Sequence, residues 1–575
     1  MAAVLRRKGA TMRVSMLRSV PVAVTIAGVF LSWAQCLPQS ASTAHASPPL
    51  TMDQVVDRSV VRERALMDML KTRTPLIETY LQDLRFDPRV GPVPVEDHYF
   101  LGRMDLKETV DRRNYLPRQG GFQKTLLGGF DRLYKIEYNP LGFSWMIFAD
   151  RNDFNRKTYD FKFAHREFLG EVRCLVFDVS PKHETGTSRF HGRIWVEDRD
   201  YNIVRLNGTY EPHPRNAYFF HMDSWRLNLV EGYWVPTYVY SEEGDLDHRS
   251  NEQFAFKAQT RLWGYALHTG ANASEFTDIL VDPVVKDESP TAQDASPLQA
   301  QRLWRQQAAN NVIERLQKAG LLSPVGELDK VLETVVNNLV VANNIDLQSA
   351  VHVRIMLTSP LETFSVGNTI VVSRGLVDVL PNEASLASVL AHELAHIVLG
   401  HYQGTKYAFS DRLLFSDEST YRNLGFRHDP EEEAAADEKA IDLLKSSPYA
   451  QNLATAGLFL REVAQRGHAL EALLRPHLGN GLTDSRGRVT RMVALMNSAP
   501  VLDQEKLDQI AALPLGGRVK IDAWDGRAEL VKTTPSVINS ARDKMPLELT
   551  PFSPHLTRYG EIANPTTASA ANTSN

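Results

Sequence analysis

The residues best suited to chemistry lie in Ala391-His392-Glu393-Leu394-Ala395-His396-Ile397-Val398-Leu399-Gly400-His401. Around them Leu386, Val389, Leu390, Leu394, Ile397 and Val398 form an apolar pattern that predicts a buried helix. His392 and His396 are four residues apart. At about 3.6 residues per turn they stack on one face, so both imidazoles can reach one metal ion. Glu393 lies about 100° round from His392, placed to touch a metal-bound water rather than the metal. Two histidines and a glutamate inside an apolar helix are costly to bury without partners. The competing reading is structural, with the histidines satisfied by neighbouring backbone.

A catalytic zinc takes three protein ligands and a water. His401 points the wrong way for the third, about 180° from His392 on a continuing helix. It reads as a residue at the helix end or behind a ligand. The longer pattern HExxHxxGxxH also fails, because Leu399 and Tyr402 stand where Gly and His are needed. A second stretch, Pro430-Glu431-Glu432-Glu433-Ala434-Ala435-Ala436-Asp437-Glu438, supplies a better candidate. Pro430 starts a helix, and acids in its first turn suit the dipole. That suffices for Glu431, Glu432 and Glu438. Glu433 and Asp437 are four apart, with three alanines between them that let another helix approach closely. Glu433 can ligate zinc while Asp437 accepts the other ring N–H of a ligand histidine. His428, just before this helix, is either a loop histidine or a reversible fourth ligand that masks the site.

Several elements must position these residues. Residues 47–85 look helical. Between about 95 and 270 short alternating runs recur: Leu133–Tyr138, Ser144–Ala149, Thr158–Phe163, Cys174–Ser180, Arg189–Glu197, Ile203–Tyr210, Trp225–Leu229, Tyr233–Tyr240 and Gln253–Arg261. Turn clusters such as Glu197–Asn202 separate them, which predicts a curved or closed antiparallel sheet. Residues 282–297 are rich in Pro, Ser and Asp and read as a linker. A helix follows over Leu298–Ala319, ending at Gly320. Ser323-Pro324 then predicts an N-cap and N1 pair, with Leu328, Leu332, Val335 and Leu339 on one apolar face. The expected class is α+β: a curved antiparallel β-rich domain (95–281), then a mainly helical domain (298–500) with a small sheet. Residues 501–562 form a small C-terminal segment and 563–575 a disordered tail.

The 575 residues allow about three to four domains on length alone. Apolar residues make up 43% and charged residues 23%, which excludes collagen, coiled coil and wholesale disorder. Cys36 and Cys174 are the only cysteines, too few for a disulfide scaffold or a cysteine zinc cluster. Cys174 reads as a small buried apolar residue. A formal charge of −5 forces no basic face for nucleic acid. Residues 1–46 carry five basic residues, an apolar run over Val20–Leu31, and Ala44 and Ala46 at the small positions of a cleavage site. These are the parts of a secretory signal peptide. The alternative, a membrane anchor, needs about 20 apolar residues. Cleavage after Ala46 leaves 59 Lys and Arg against 69 Asp and Glu, near −10, with Cys174 alone. No integral membrane span is expected in the remainder.

His392–His401 followed by Glu433 and Asp437 resembles the gluzincin metallopeptidases that include the CAAX prenyl proteases, HtpX and BepA. Thr363–Leu376 and Pro381-Asn382-Glu383 also match, so the resemblance spans roughly 300–495. It implies one Zn²⁺ per chain on His392, His396 and Glu433, with Glu393 as general base and Asp437 orienting a ligand. It also implies that Asn368, Thr369, Ile370 and Val371 lie in an edge strand, running to Ser373, that pairs with an extended peptide. Family members carry a His-Pro with an Arg six residues on. Here His477 is followed by Leu478, and Arg486 and Arg488 lie further away than that spacing. On the resemblance His477 and Arg488 are the candidate oxyanion stabilisers. Members embedded in membranes flank the site with transmembrane helices. None is evident here, so the exported, soluble branch is the closer match. The middle region loosely resembles LolA and LolB, lipoprotein-sorting proteins.

The expected function is an exported, periplasmic or extracellular, zinc endopeptidase. Its substrates would be unfolded or misassembled envelope proteins. The alternative is a module that binds lipid, a lipoprotein acyl chain or unfolded protein, with accessory peptidase activity. An inactive scaffold has no support, since every core residue is present.

Overall fold

Thr51 and Gln54 cap each other reciprocally, at 3.3 and 3.0 Å, and so start helix α1 (Met52–Leu70). The computed structural model describes residues 50–106, 111–114, 140–182, 189–211, 220–243, 254–266, 297–347, 349–401, 421–531 and 538–560. The segments expected to be a signal peptide (1–46), a linker (up to residue 296) and a tail (563–575) lie outside the described residues. The helix expected over 47–85 ends at Leu70, because Pro75 denies a continuing helix its N–H and strand β1 (Leu76–Asp87) follows.

β1 pairs with β2 (Gly91–Asp105), which pairs with β3 (Asp111–Asn114). After α2 (Pro140–Trp145) the chain runs back through β4 (Tyr159–Leu169), β5 (Val172–Pro181), β6 (Arg189–Glu197), β7 (Ile203–Glu211), β8 (Phe220–Val230), β9 (Tyr233–Glu243) and β10 (Phe254–Trp263). All ladders are antiparallel, and β10 closes onto β1 in a ten-stranded sheet. Of the expected strands, Ser144–Ala149 is instead the end of α2 and the turn after it, since Pro140 starts a helix there. Leu133–Tyr138 lies outside the described residues. The Glu197–Asn202 turn forms as expected, with Glu197 accepting the Arg199, Asp200 and Asn202 N–H groups at 3.0 Å each. Gly170 turns β4 into β5 at φ 65°, and a Cβ there would meet the Leu556 backbone at 2.5 Å. The C-terminal segment therefore docks on the sheet.

The second half begins with α3 (Pro297–Lys318) and α4 (Glu327–Ala342). α4 starts three residues later than Ser323-Pro324 suggests. Asp329 caps it by accepting the Gly326 N–H at 2.6 Å, and Ser323 instead accepts from Ala528 N–H at 3.0 Å. A small sheet follows, made of β11 (His352–Met356), β12 (Thr363–Val366) and β13 (Thr369–Ser373), in the order β11-β13-β12. Then come α5 (Arg374–Val379), α6 (Glu383–Leu399), α7 (Pro430–Lys445), α8 (Leu453–Arg466), α9 (Glu471–Leu474) and α10 (Val493–Ser498). The hairpin β14 (Val519–Ile521) and β15 (Ala528–Leu530) and helix α11 (Ala541–Lys544) complete the chain.

The two halves share one core. Leu76, Tyr80, Leu101 and Trp263 of the sheet join the apolar cluster that runs through α3, α4, α6 and α8. Polar side chains bind the junction. Glu78 accepts from Tyr99 Oη at 2.9 Å, Ser359 N at 2.6 Å and Arg374 Nη2 at 2.9 Å. Asp97 accepts from the Ala472 and Leu473 N–H groups at 2.7 and 2.8 Å, at the start of α9. Gln82 both donates to Leu547 O and accepts from Leu549 N. No described helix is long and apolar enough to cross a membrane.

Candidate metal centre

Asn382 caps α6, its side chain accepting the Ser385 N–H at 2.9 Å. The helix is buried nearly throughout, as its unbroken apolar pattern requires. It packs against α7, where Ala436 and Ala440 are fully buried and allow the close approach. This contact brings Glu433 to the two histidines. His392 Nε2 and His396 Nε2 are 3.2 Å apart. Glu433 places Oε2 at 3.3 Å from the first and Oε1 at 3.5 Å from the second. Metal–ligand bonds of about 2.1 Å in a tetrahedron give ligand–ligand edges of about 3.4 Å. The two histidine nitrogens and the Glu433 carboxylate approach one another at about such an edge length, and Glu433 Oε1 is buried with no hydrogen-bond partner among the described residues. The donor set therefore suits a divalent ion of the zinc type.

The remaining contacts hold these groups still. Asp437 Oδ1 lies 2.8 Å from His392 Nδ1, which turns Nε2 toward the cluster. Asp437 Oδ2 accepts the Met492 N–H at 2.8 Å, and Met492 adopts φ 54°, a left-handed conformation that costs a non-glycine residue energy. Gly400 ends α6 at φ 73°. Because the helix stops, His401 does not continue round to the far side; its Nδ1 returns to 2.9 Å from His396 Nδ1. His428 stacks on the His396 ring at 3.7 Å between centroids, with Nδ1 at 2.8 Å from Glu432.

Arg491 was not singled out by the sequence, yet it is buried in the cluster. Its Nη1 donates to Glu393 Oε1 and its Nε to Glu433 Oε2, both at 3.1 Å. Burial opposes the charge on Glu433, but the histidines and Arg491 hold its carboxyl well below the usual range. Glu393 Oε2 is buried and accepts no hydrogen bond among the described residues. Spacing alone does not distinguish Arg491 from Arg486 and Arg488. What selects it is the neighbouring Met492–Asp437 bond.

Three expectations need correction. Arg488 is exposed and paired with Asp484 at 2.7 Å, because Asp484 organises the turn that carries it. The arginine at the cluster is Arg491. His477 has Nε2 engaged by Tyr421 O at 2.9 Å and its ring against Tyr421, so it serves that packing and not the cluster. Thr369, Ile370 and Val371 are not in an edge strand. β13 pairs with β11 on one side and β12 on the other, since the hairpin at Gly367-Asn368 folds β12 across its outer side. Asn368 sits in that hairpin turn, its Nδ2 near Ser349.

Residues 327–415 match the family model of Peptidase family M48. The match points to a metallopeptidase hydrolase. No curated protein matches the chain. Among solved structures, a LolA superfamily protein from Nitrosomonas europaea is similar at 9% identity and TM-score 0.21, covering 37% of this chain and 92% of that one. A DUF1329 family protein from Desulfovibrio piger is similar at 13% identity and TM-score 0.17, covering 36% and 90%. The MucA/MucB complex of Pseudomonas aeruginosa follows at 10% identity and TM-score 0.11, covering 36% and 94%. Scores this low do not establish a shared fold.

Proposed function

We propose that the chain is a zinc-dependent endopeptidase of the exported branch, acting on unfolded or misassembled envelope proteins. The observation that carries the chemistry is the set of buried His392 and His396 with half-buried Glu433, whose nitrogens and carboxylate approach within 3.2–3.5 Å, and Glu393 beside them. These three residues would hold the ion, and bound zinc supplies Lewis-acid polarisation and an acidified water. Glu393 divides its labour between two oxygens. Oε1 is fixed by Arg491, and the partnerless Oε2 takes the proton from the attacking water and returns it to the leaving amine. Arg491 also offsets Glu433 and keeps both carboxylates in place. Asp437 holds the His392 tautomer. β12, on the outer side of β13, is buried along its whole length, so it does not take over the strand-pairing role expected of residues 368–371.

The test is zinc content of purified 47–575 beside His396→Ala, with cleavage of an unfolded protein assayed on both. About one zinc per chain, lost together with cleavage in the variant, is expected. A metal-free wild type prepared without chelators would sink the proposal.

A further inference from the structure

The sheet carries a second buried constellation, built from residues that share none with the metal cluster. A cavity of about 360 Å³ lies between β8, β9 and β10 on one wall and the β14–β15 hairpin and residues 552–555 on the other. That volume falls within the range of small-molecule sites, about 300–1,000 Å³. Leu227, Trp263, Ile521, Val531 and Phe552 give it largely apolar walls. At its rim Lys520 and Glu529 face each other across the hairpin, so their charges offset.

One strongly polar side chain lines the interior. Arg261 is 7% exposed, lies over the Tyr238 ring at 5.2 Å and donates from Nη2 to Gly516 O at 2.7 Å. Its Nε–H is buried and has no acceptor among the described residues. Burial and the nearby Arg374 lower its pKa to about 10, so it remains a cation at neutral pH. The acids in range are committed elsewhere. Glu78, opposite Arg261 in the ladder, is taken by Tyr99, Ser359 and Arg374. Asp378 accepts the Gly516, Arg518 and Val519 N–H groups. Three guanidiniums, Arg261, Arg374 and Arg518, thus share two carboxylates, and one positive charge is left over. A buried charge without a partner is costly.

We propose that this cavity binds an amphiphile with a single carboxylate, the headgroup pairing with the Arg261 guanidinium at the cavity wall and the chain lying on the apolar walls. One negative charge completes the balance, whereas a dianionic head exceeds it. The inference is independent of the peptidase reading.

Isothermal titration of the full chain with decanoate, decanol and decyl phosphate tests it. Decanoate binds one per chain, and decanol binds at least about tenfold more weakly, the size of one charge-assisted hydrogen bond. Arg261→Gln removes that preference. Leu530→Trp, at a rim residue 41% exposed, narrows the mouth and weakens decanoate and decanol alike. His396→Ala leaves decanoate binding unchanged, which separates the cavity from the metal centre. The proposal is overturned if decanoate does not bind, if decyl phosphate binds tighter, or if decanoate is lost in His396→Ala. Should Arg261→Gln fail to fold, unchanged affinity in Leu530→Trp overturns the location by itself.

Discussion

Two buried charge clusters in this molecule leave orphans of opposite sign. Among α6, α7 and the segment before α10, the carboxylates Glu393, Glu433 and Asp437 face one guanidinium, Arg491. Their unpaired atoms are acceptors, Glu393 Oε2 and Glu433 Oε1. Where β1 and β10 meet α5, guanidiniums outnumber carboxylates, and the unpaired atom of the cavity-lining arginine is a donor, Arg261 Nε. The first cluster suits a divalent cation and the second a monoanion. The difference teaches that the sign of an unsatisfied buried group indicates what it is built to hold, whereas the saturated groups around it are architecture.

The largest break in this contrast comes at Glu393. Glu393→Gln should lower the cleavage rate by about 10²–10⁴-fold while zinc per chain stays the same, because the base is lost and the ligands remain. A variant that lost zinc in proportion would make Glu393 a ligand instead. At the junction the effect falls on stability. Glu78→Ala leaves the buried Arg374 with Asp378 alone, at 3.5 Å, and should cost about 3 kcal/mol in urea unfolding, with zinc content unchanged.

Titration sharpens the contrast next. Burial pushes Asp97 up to about 7, against two backbone N–H donors and Tyr80, and pushes Glu362 up to about 7 in the same way. A carboxyl raised in the folded state contributes stability below its unfolded pKa of about 4 and loses it as pH rises through about 7. The urea midpoint of the His396→Ala protein, freed from metal linkage, should fall over that window by the equivalent of at most about 4 kcal/mol per group. Asp97→Asn should flatten the slope, whatever its absolute stability. The smallest effect is at Asp437. Asp437→Asn should weaken zinc about 10–100-fold in competition with a chelator, since His392 loses the acceptor that orients it.

Much of the geometry of the candidate cluster was legible because it is written in local spacing. Four-residue separation puts His392 and His396 on one helix face wherever the helix lies, and the Glu433–Asp437 pair obeys the same rule on α7. The sheet strands from residue 159 to 263 were legible for a similar reason, as alternation and turn residues are local. The errors share a cause. Arg488, His477 and residues 368–371 were placed by the family resemblance, but their contacts here are this chain's own: Asp484 for Arg488, Tyr421 for His477 and strands on both sides for β13. Register in the small sheet put β13 in the middle, which no local pattern reveals.

By itself the sequence determined the chemistry on offer: two imidazoles, a base one residue after the first, and a carboxylate pair on a second helix. It also determined where helices and strands alternate. Only the tertiary structure decided that Arg491 enters the cluster, that His401 turns back after Gly400, and that Arg261 is left without a carboxylate. The reason is physical. Helical and strand periodicity depends on neighbours a few residues away, whereas the pairing of buried charges depends on which surfaces meet when the core closes.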